Sequence, residues 1–353
     1  MDANQTTDLT KTEKGTQTDA SFLASVPDVV SSDESSRSES SEPLADGNAA
    51  DGDIEKQEPL YYDKDTFLVR WSDSNDRENP RNFSCTQKWV ITVTLGIMTL
   101  AVTVASSIFS TATKKAANEF GVSAEVMILG TSLFVLGFAF GPLIFGPISE
   151  LYGRRTPMFL GMICFAIFQI PVAVAQDIQT LFIYRFFGGI FASAPLAING
   201  GTLADLFGPI DRGITVTIFG GSVMMGPAVG PVVGGFITLS YLGWRWTEYI
   251  TAIMAFFFTE IAVLIVPETY EPVLLAWRAK NLRQQTQLWA IHAKSEEKAV
   301  DIRIIAEKYL LRSFKMLALE PIFLLITLCI GFIYGFLYTS FMAYPVSFEE
   351  VRG

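Results

Sequence analysis

The chain has 353 residues, half of them hydrophobic, with 28 phenylalanines, three cysteines and one histidine. Its formal charge of −10 arises in residues 1–65, where acids outnumber Lys and Arg by 16 to five, so the low isoelectric point marks no acidic or basic partner for the rest, and no nucleic acid is expected. Scattered Cys85, Cys164 and Cys329 and a lone His292 suggest neither a disulfide framework nor a metal site, and no G-x-x-x-x-G-K-[ST] loop is present to cradle ATP.

Residues 1–72 are rich in Ser, Thr, Asp and Glu and poor in large apolar side chains. Such a segment cannot bury enough surface to offset its ordering entropy, so a disordered tail is expected. Its SSDESSRSESSE stretch (31–42) is either a set of phosphate acceptors beside acids or a solvating arm. With no basic n-region and no early apolar run, no cleavable secretory signal is expected.

From residue 89 onward, apolar segments of roughly 18–25 residues recur, the length a helix needs to cross a hydrocarbon core of about 30 Å. They fall near 89–112, 124–147, 158–176, 181–204, 214–239, 244–266 and 321–345, and most are apolar all round, unlike the one-sided helices of a soluble bundle. The pattern predicts an all-α integral membrane protein: a six-helix half (73–266), a linker loop (267–320), a seventh transmembrane helix (321–345) and the start of a further loop (346–353).

Lys and Arg crowd the linker, with Arg278, Lys280, Arg283, Lys294, Lys298, Arg303, Lys308, Arg312 and Lys315, while Arg154 and Arg155 occupy the link 148–157 and Arg212 the link 205–213. The alternate links 177–180 and 240–243 carry none. The asymmetry predicts a cytoplasmic N-terminus and linker, with Lys114 and Lys115 as exceptions. Asn82-Phe83-Ser84, a glycosylation sequence in form, should then stay unmodified.

Between the second and third segments stands G-P-I-S-E-L-Y-G-R-R. Gly146, Pro147 and Gly153 allow a turn there, and Glu150 lies at the membrane face. Arg154 and Arg155 can reach a helix C-terminus or an acid such as Asp205; plain positive-inside anchoring is the alternative. In the fifth segment, Gly226, Gly230 and Gly234 share one helix face, with Gly235 beside them, which permits close approach of another helix. Pro227 and Pro231 remove backbone donors and bend it. Arg185, in IYRFFGGIFASAPLA, is costly in an apolar span by about 2.5–3.5 kcal/mol unless it faces the bundle interior or water, or snorkels to the interface. Facing inward, it would tune a nearby acid's proton affinity. Glu260 is the acid well inside an apolar run, and Glu248 stands at the outer end of the same segment.

The hairpin, Arg185, GGSVMMGPAVGPVVGG (220–235), GWRWTEYI (243–250) and PETYEPVLLAWRAKNLRQQT (267–286) together resemble the major facilitator superfamily, and within it fungal multidrug and polyamine proton antiporters of twelve spans. The resemblance implies export of drug-like, hydrophobic or cationic compounds, or polyamines, by alternating access, with no cofactor and the proton gradient as energy source. It implies a conformational latch of Gly146, Glu150, Gly153, Arg154, Arg155 and Asp205 and an antiporter seam around Gly226–Gly235; Arg185 and Glu260 are the candidates for proton coupling by their placement in apolar spans, not by the resemblance. Glu150 departs from the more common Asp. Five further helices are expected beyond Gly353. Polar and aromatic residues at mid-depth, Ser106, Ser107, Phe109, Phe134, Asn199, Tyr334 and Tyr338, are candidates for a substrate cavity suited to hydrophobic or cationic compounds, or for helix packing. An uptake permease and a truncated, non-transporting membrane protein are the rival readings.

Overall fold

The computed structural model describes residues 67–72, 76–297 and 312–345. Most of the acidic tail, including 31–42, lies outside the described residues, as do 298–311 and 346–353. Among the described residues, seven helices are long and apolar enough to cross a membrane, in keeping with the seven expected segments. Their β content is one isolated parallel bridge.

The order is α1 (Cys85–Ile108), a 3-10 turn (Phe109–Thr111), α2 (Thr113–Phe120), α3 (Ala124–Tyr152), α4 (Arg155–Ala173), α5 (Ile178–Ala192), α6 (Ala194–Leu206), α7 (Pro209–Leu239), α8 (Arg245–Ile265), α9 (Glu271–Thr286), α10 (Arg312–Leu319) and α11 (Pro321–Pro345). Ser84 and Ser123 start α1 and α3 by accepting from the backbone N–H of Gln87 and Val126. α5 and α6 make up the fourth span, broken at Ser193, where Pro195 cannot donate to the preceding turn.

Several features differ from the sequence expectation, among them a helix, α9, within the expected linker loop 267–320. Gly146 and Pro147 lie inside α3, which continues through Glu150 to Tyr152, so the expected link 148–157 contracts to Gly153 and Arg154. Only Gly153, at φ +91°, makes the turn. The short α2 was not anticipated; it folds over the end of span one and stops at Gly121, at φ +67°. It also explains the exceptional lysines in part: the Lys115 ammonium donates to the Thr238 carbonyl at the end of α7, where a cation complements the helix dipole.

Lipid tails are as apolar as leucine, so close backbone contact and hydrogen bonds must hold the spans together. α1 is the most enclosed, and α7 lies against it along the glycine face. A Cβ on Gly226 would stand 1.9 Å from Thr103 Oγ1, on Gly230 2.0 Å from Ser107 Oγ, and on Gly234 2.5 Å from Thr111 Oγ1. Gly235 faces open space and is not part of this seam. A second seam, unread in the sequence, joins α3 to α5: a Cβ on Gly137 would meet the Phe186 carbonyl at 2.5 Å and one on Gly189 the Phe134 carbonyl at 2.2 Å.

At the linker end, residues 67–72 pack on α9 instead of belonging to the tail. Val69 donates to the His292 carbonyl at 2.9 Å, and His292 donates back to Phe67 at 3.0 Å. Val69, Ala279, Ile291 and Ala293 are buried together beneath this bridge, and Arg278 pairs with Asp76 at 2.7 Å. Burial raises the Asp76 carboxyl, but donation from Arg278 and from the backbone of Glu78 and Ser72 outweighs it and holds the group below the usual range.

Candidate functional site

Three constellations occupy the bundle. At the linker end, Arg154 Nε meets Asp205 Oδ2 at 3.1 Å and its Nη1 donates to Ser149 Oγ at 2.9 Å. The guanidinium lies 4.7 Å from the Tyr270 ring centroid. Arg155 donates instead to the Val263 carbonyl of α8 at 2.9 Å. Glu150 is half-buried at the end of α3, and Gly146 has open space around it. Burial, then the nearby Glu150 carboxylate, push the Tyr270 phenol up, so the ring faces Arg154 neutral.

Glu268, which the sequence reading passed over, organises this end. Its buried carboxylate accepts the backbone N–H of Arg154 at 2.8 Å and of Arg155 at 3.1 Å. It also accepts from Thr269 and Tyr270, each at 3.0 Å. The anion sits at the amino end of α4, where the helix dipole favours it. Gly153 is required here twice, by its positive φ and because a Cβ would stand 2.4 Å from Glu268 Oε2. Glu268→Ala strips acceptors from four backbone donors. The expected result is a loss of about 2–3 kcal/mol, read as a lowered thermal midpoint of the chain in detergent, with Glu268→Gln between the two.

Deep in the opposite half, Arg185 of α5 and Glu248 of α8 form an ion pair through Nη2 and Oε1, both side chains 0% exposed. The guanidinium lies 4.0 Å from the Phe109 ring centroid and 5.5 Å from that of Phe134. Aromatic faces can supply part of the stabilisation that water no longer gives. Arg185 Nε and Nη1 and Glu248 Oε2 have no protein hydrogen-bond partner. A neighbouring polar step leads from Gln169 Nε2 of α4 to Thr251 Oγ1 at 3.0 Å, and from Thr251 to the Glu248 carbonyl at 2.8 Å.

The expected pairing with Glu260 is therefore corrected: that residue is exposed on α8. Arg185 lies deeper than the expected segment 181–204 implies because α5 begins at Ile178, which puts it two turns inside, and Glu248 is interior because Trp244 and Glu119 of α2 close over the start of α8. Snorkelling is excluded by the same burial.

The third constellation is a cavity of about 500 Å³ between α3 and α11, lined by Ile128, Thr131, Ser132, Val135, Tyr334, Gly335, Tyr338 and Thr339. It carries hydroxyls and aromatic rings and no charged side chain. The Ser106 and Tyr338 hydroxyls stand 2.7 Å apart, which ties α1 to α11. Thr131, buried on the α3 wall, has no partner for its hydroxyl.

Of the cavity candidates from sequence, Tyr334 and Tyr338 line this space. The others do not: Phe109 and Phe134 hold Arg185, and Ser107 packs against Gly230. Asn199 binds α6 to α1 by donating to Thr99 Oγ1 at 2.9 Å and to the Leu95 carbonyl at 3.3 Å. Packing claims them because Ser107, Phe109, Phe134 and Asn199 are all fully buried between neighbouring elements.

The sequence profile of the Major Facilitator Superfamily matches residues 95–353. A citrinin biosynthesis cluster MFS transporter of Monascus ruber is 51% identical over 288 residues, 82% of this chain and 58% of that protein. An ascochitine biosynthesis cluster MFS transporter of Didymella fabae is 49% identical over 82% of this chain and 56% of its own length. The cercosporin MFS transporter of Cercospora nicotianae is 44% identical over 85% and 59%. The chain thus spans little more than half the length of these relatives. Among solved structures, the proton:xylose symporter XylE shares the fold over 64% of this chain and 53% of its own, with a TM-score of 0.50 and 20% identity.

Proposed function

Because the chain belongs to the major facilitator superfamily, we propose that it works as a multi-pass plasma-membrane transporter that exports small apolar or aromatic compounds in exchange for protons. The observation that carries this reading is the Arg185–Glu248 pair, an ionisable couple wholly enclosed among spans yet left with unpartnered N–H and carboxylate groups. Ionisable groups so placed are expensive and mark ion or proton paths. A proton arriving at Glu248 neutralises it and loosens the pair, while Arg185 stays held over Phe109 and Phe134. Loss of the proton on the other side restores the pair, so two arrangements of α5 against α8 alternate with proton occupancy.

The cavity supports the substrate class. Hydroxyls and tyrosine rings suit a flat, largely uncharged molecule, whereas a polyamine would call for carboxylates, and the lining has none. Relatives named for the citrinin, ascochitine and cercosporin clusters favour the products of small-molecule biosynthesis over polyamines or sugars. The Arg154–Asp205 contact and the Glu268 carboxylate act as the latch at the linker end, which faces the cytoplasm in this reading. The α1–α7 seam limits leak.

Cellular retention tests the assignment. Cells expressing the chain are expected to retain less of a neutral aromatic dye than control cells, and a protonophore is expected to erase the difference. Unchanged dye retention combined with increased uptake of a sugar or a polyamine would replace export by an uptake permease.

A further inference from the structure

The end of the bundle opposite the linker carries a cluster that the coupling pair does not use. Glu119, in the last turn of α2, accepts with both carboxylate oxygens: Oε2 from Trp244 Nε1 at 2.5 Å and Oε1 from Arg245 Nη2 at 2.7 Å. Arg245 Nη1 donates to the Ala173 carbonyl at the end of α4, 2.7 Å away. The partly exposed Glu119 thus ties α2 to the start of α8, and Arg245 ties that end of α8 to α4. Trp244 itself is buried, with its ring edge-on to Phe109 at 6.2 Å and 6.0 Å from Phe120. Phe109 is the ring on which Arg185 rests. Thr247, fully buried, lies between Trp244 and Glu248 on α8, and its hydroxyl donates to the Trp244 carbonyl.

We propose that Glu119 is a positioning residue that holds Trp244 as a plug between the outer solution and the Arg185–Glu248 pair. The inference rests on the reading of that pair as the proton site and of this end as outward-facing. A carboxylate is required because the two donors approach different oxygens: an amide offers one acceptor and sets an N–H against the other donor. Aspartate keeps both acceptors on a shorter stem.

Opening the plug exposes Glu248 to outside protons; closing it isolates the pair while the opposite end exchanges. Other charges at this end are Lys114 and Lys115 on α2, the latter donating to the Thr238 carbonyl, and the exposed Glu125 at the start of α3 and Asp177 before α5. Donation from Arg245 and then Trp244 holds the Glu119 carboxyl below its ordinary value of 4.5. The plug is therefore fully held above that value and loosens only as pH falls through the depressed pKa.

Thiol accessibility tests this without requiring transport. Thr247→Cys is placed in the full chain with Cys85, Cys164 and Cys329 replaced by alanine, and a membrane-impermeant thiol reagent is added outside cells at neutral pH. Glu119→Gln is expected to speed labelling on the order of tenfold, the shift given by losing one hydrogen bond of about 1.4 kcal/mol. Glu119→Asp should restore slow labelling, and Trp244→Ala should be at least as fast as Glu119→Gln. Labelling equal in the parent and Glu119→Gln overturns the plug, as does failure of Asp to rescue in a chain whose surface expression is unchanged. A companion readout is the labelling rate as outside pH falls below 4.5, which should rise in the parent as its plug loosens and change less in Glu119→Gln. Export that is absent in the parent while labelling behaves as stated would sink the transport reading and leave the plug standing.

Discussion

Arg185→Ala is expected to abolish the proposed proton-coupled export and to destabilise the chain by about 3–5 kcal/mol, because removing one partner of a buried ion pair leaves an uncompensated charge. Glu248 has no route to water in the described structure, and Phe109 and Phe134 cannot hydrogen-bond a carboxylate. The two effects separate in the double variant Arg185→Met with Glu248→Leu. Apolar replacement of a whole buried pair is often neutral or stabilising, so this variant should recover the thermal midpoint and surface expression while export stays lost. Recovery of export with stability would show that the pair only supports packing. Glu248→Gln, which imitates the protonated acid, should fold and lose dependence on the proton gradient.

Gly230→Val has the other large expected effect. Its new side chain would meet Ser107 Oγ and also the Val104 carbonyl, 2.9 Å from Cβ alone. Ser107 can rotate away; backbone cannot, so α7 must leave α1. Overpacking of this kind costs about 1–3 kcal/mol, occasionally more, and here it parts the most enclosed helix from its neighbour. Loss of folded protein by size-exclusion chromatography is the expected result. Gly235→Val is the control, since that position opens on empty space; it should behave as the parent. Equal loss in both would show that glycine matters along α7 for flexibility and not for contact.

The spans were legible because thickness in a bilayer translates directly into length along a chain. The α7 glycines were legible for a similar reason: a step of four residues stays on one face, and Gly235, one residue on, turns about 100° away. The α3–α5 seam had the same signature in Gly137 and Gly141, with Gly189 opposite, but these were spread through bulky aromatics.

The partner of Arg185 was not legible from depth along a segment. α2 folds over the end of α8, so a carboxylate in the first helical turn becomes an interior one. Glu268 was hidden differently. It binds backbone N–H groups 113 and 114 positions away, and a backbone donor leaves no mark in the sequence. The contact of 67–72 with α9 likewise depends on a single pairing of two short segments in a charged, loop-like region, where periodicity carries no signal.

Proton release on substrate addition tests the central claim most directly. Inside-out membrane vesicles holding the chain are acidified within, a pH-sensitive dye follows the gradient, and a neutral aromatic compound is added. The account predicts that the compound enters as protons leave, and that in Glu248→Gln vesicles substrate addition releases no protons and the imposed gradient drives no accumulation. Accumulation of the compound with no proton movement, or equally in Glu248→Gln, would contradict it.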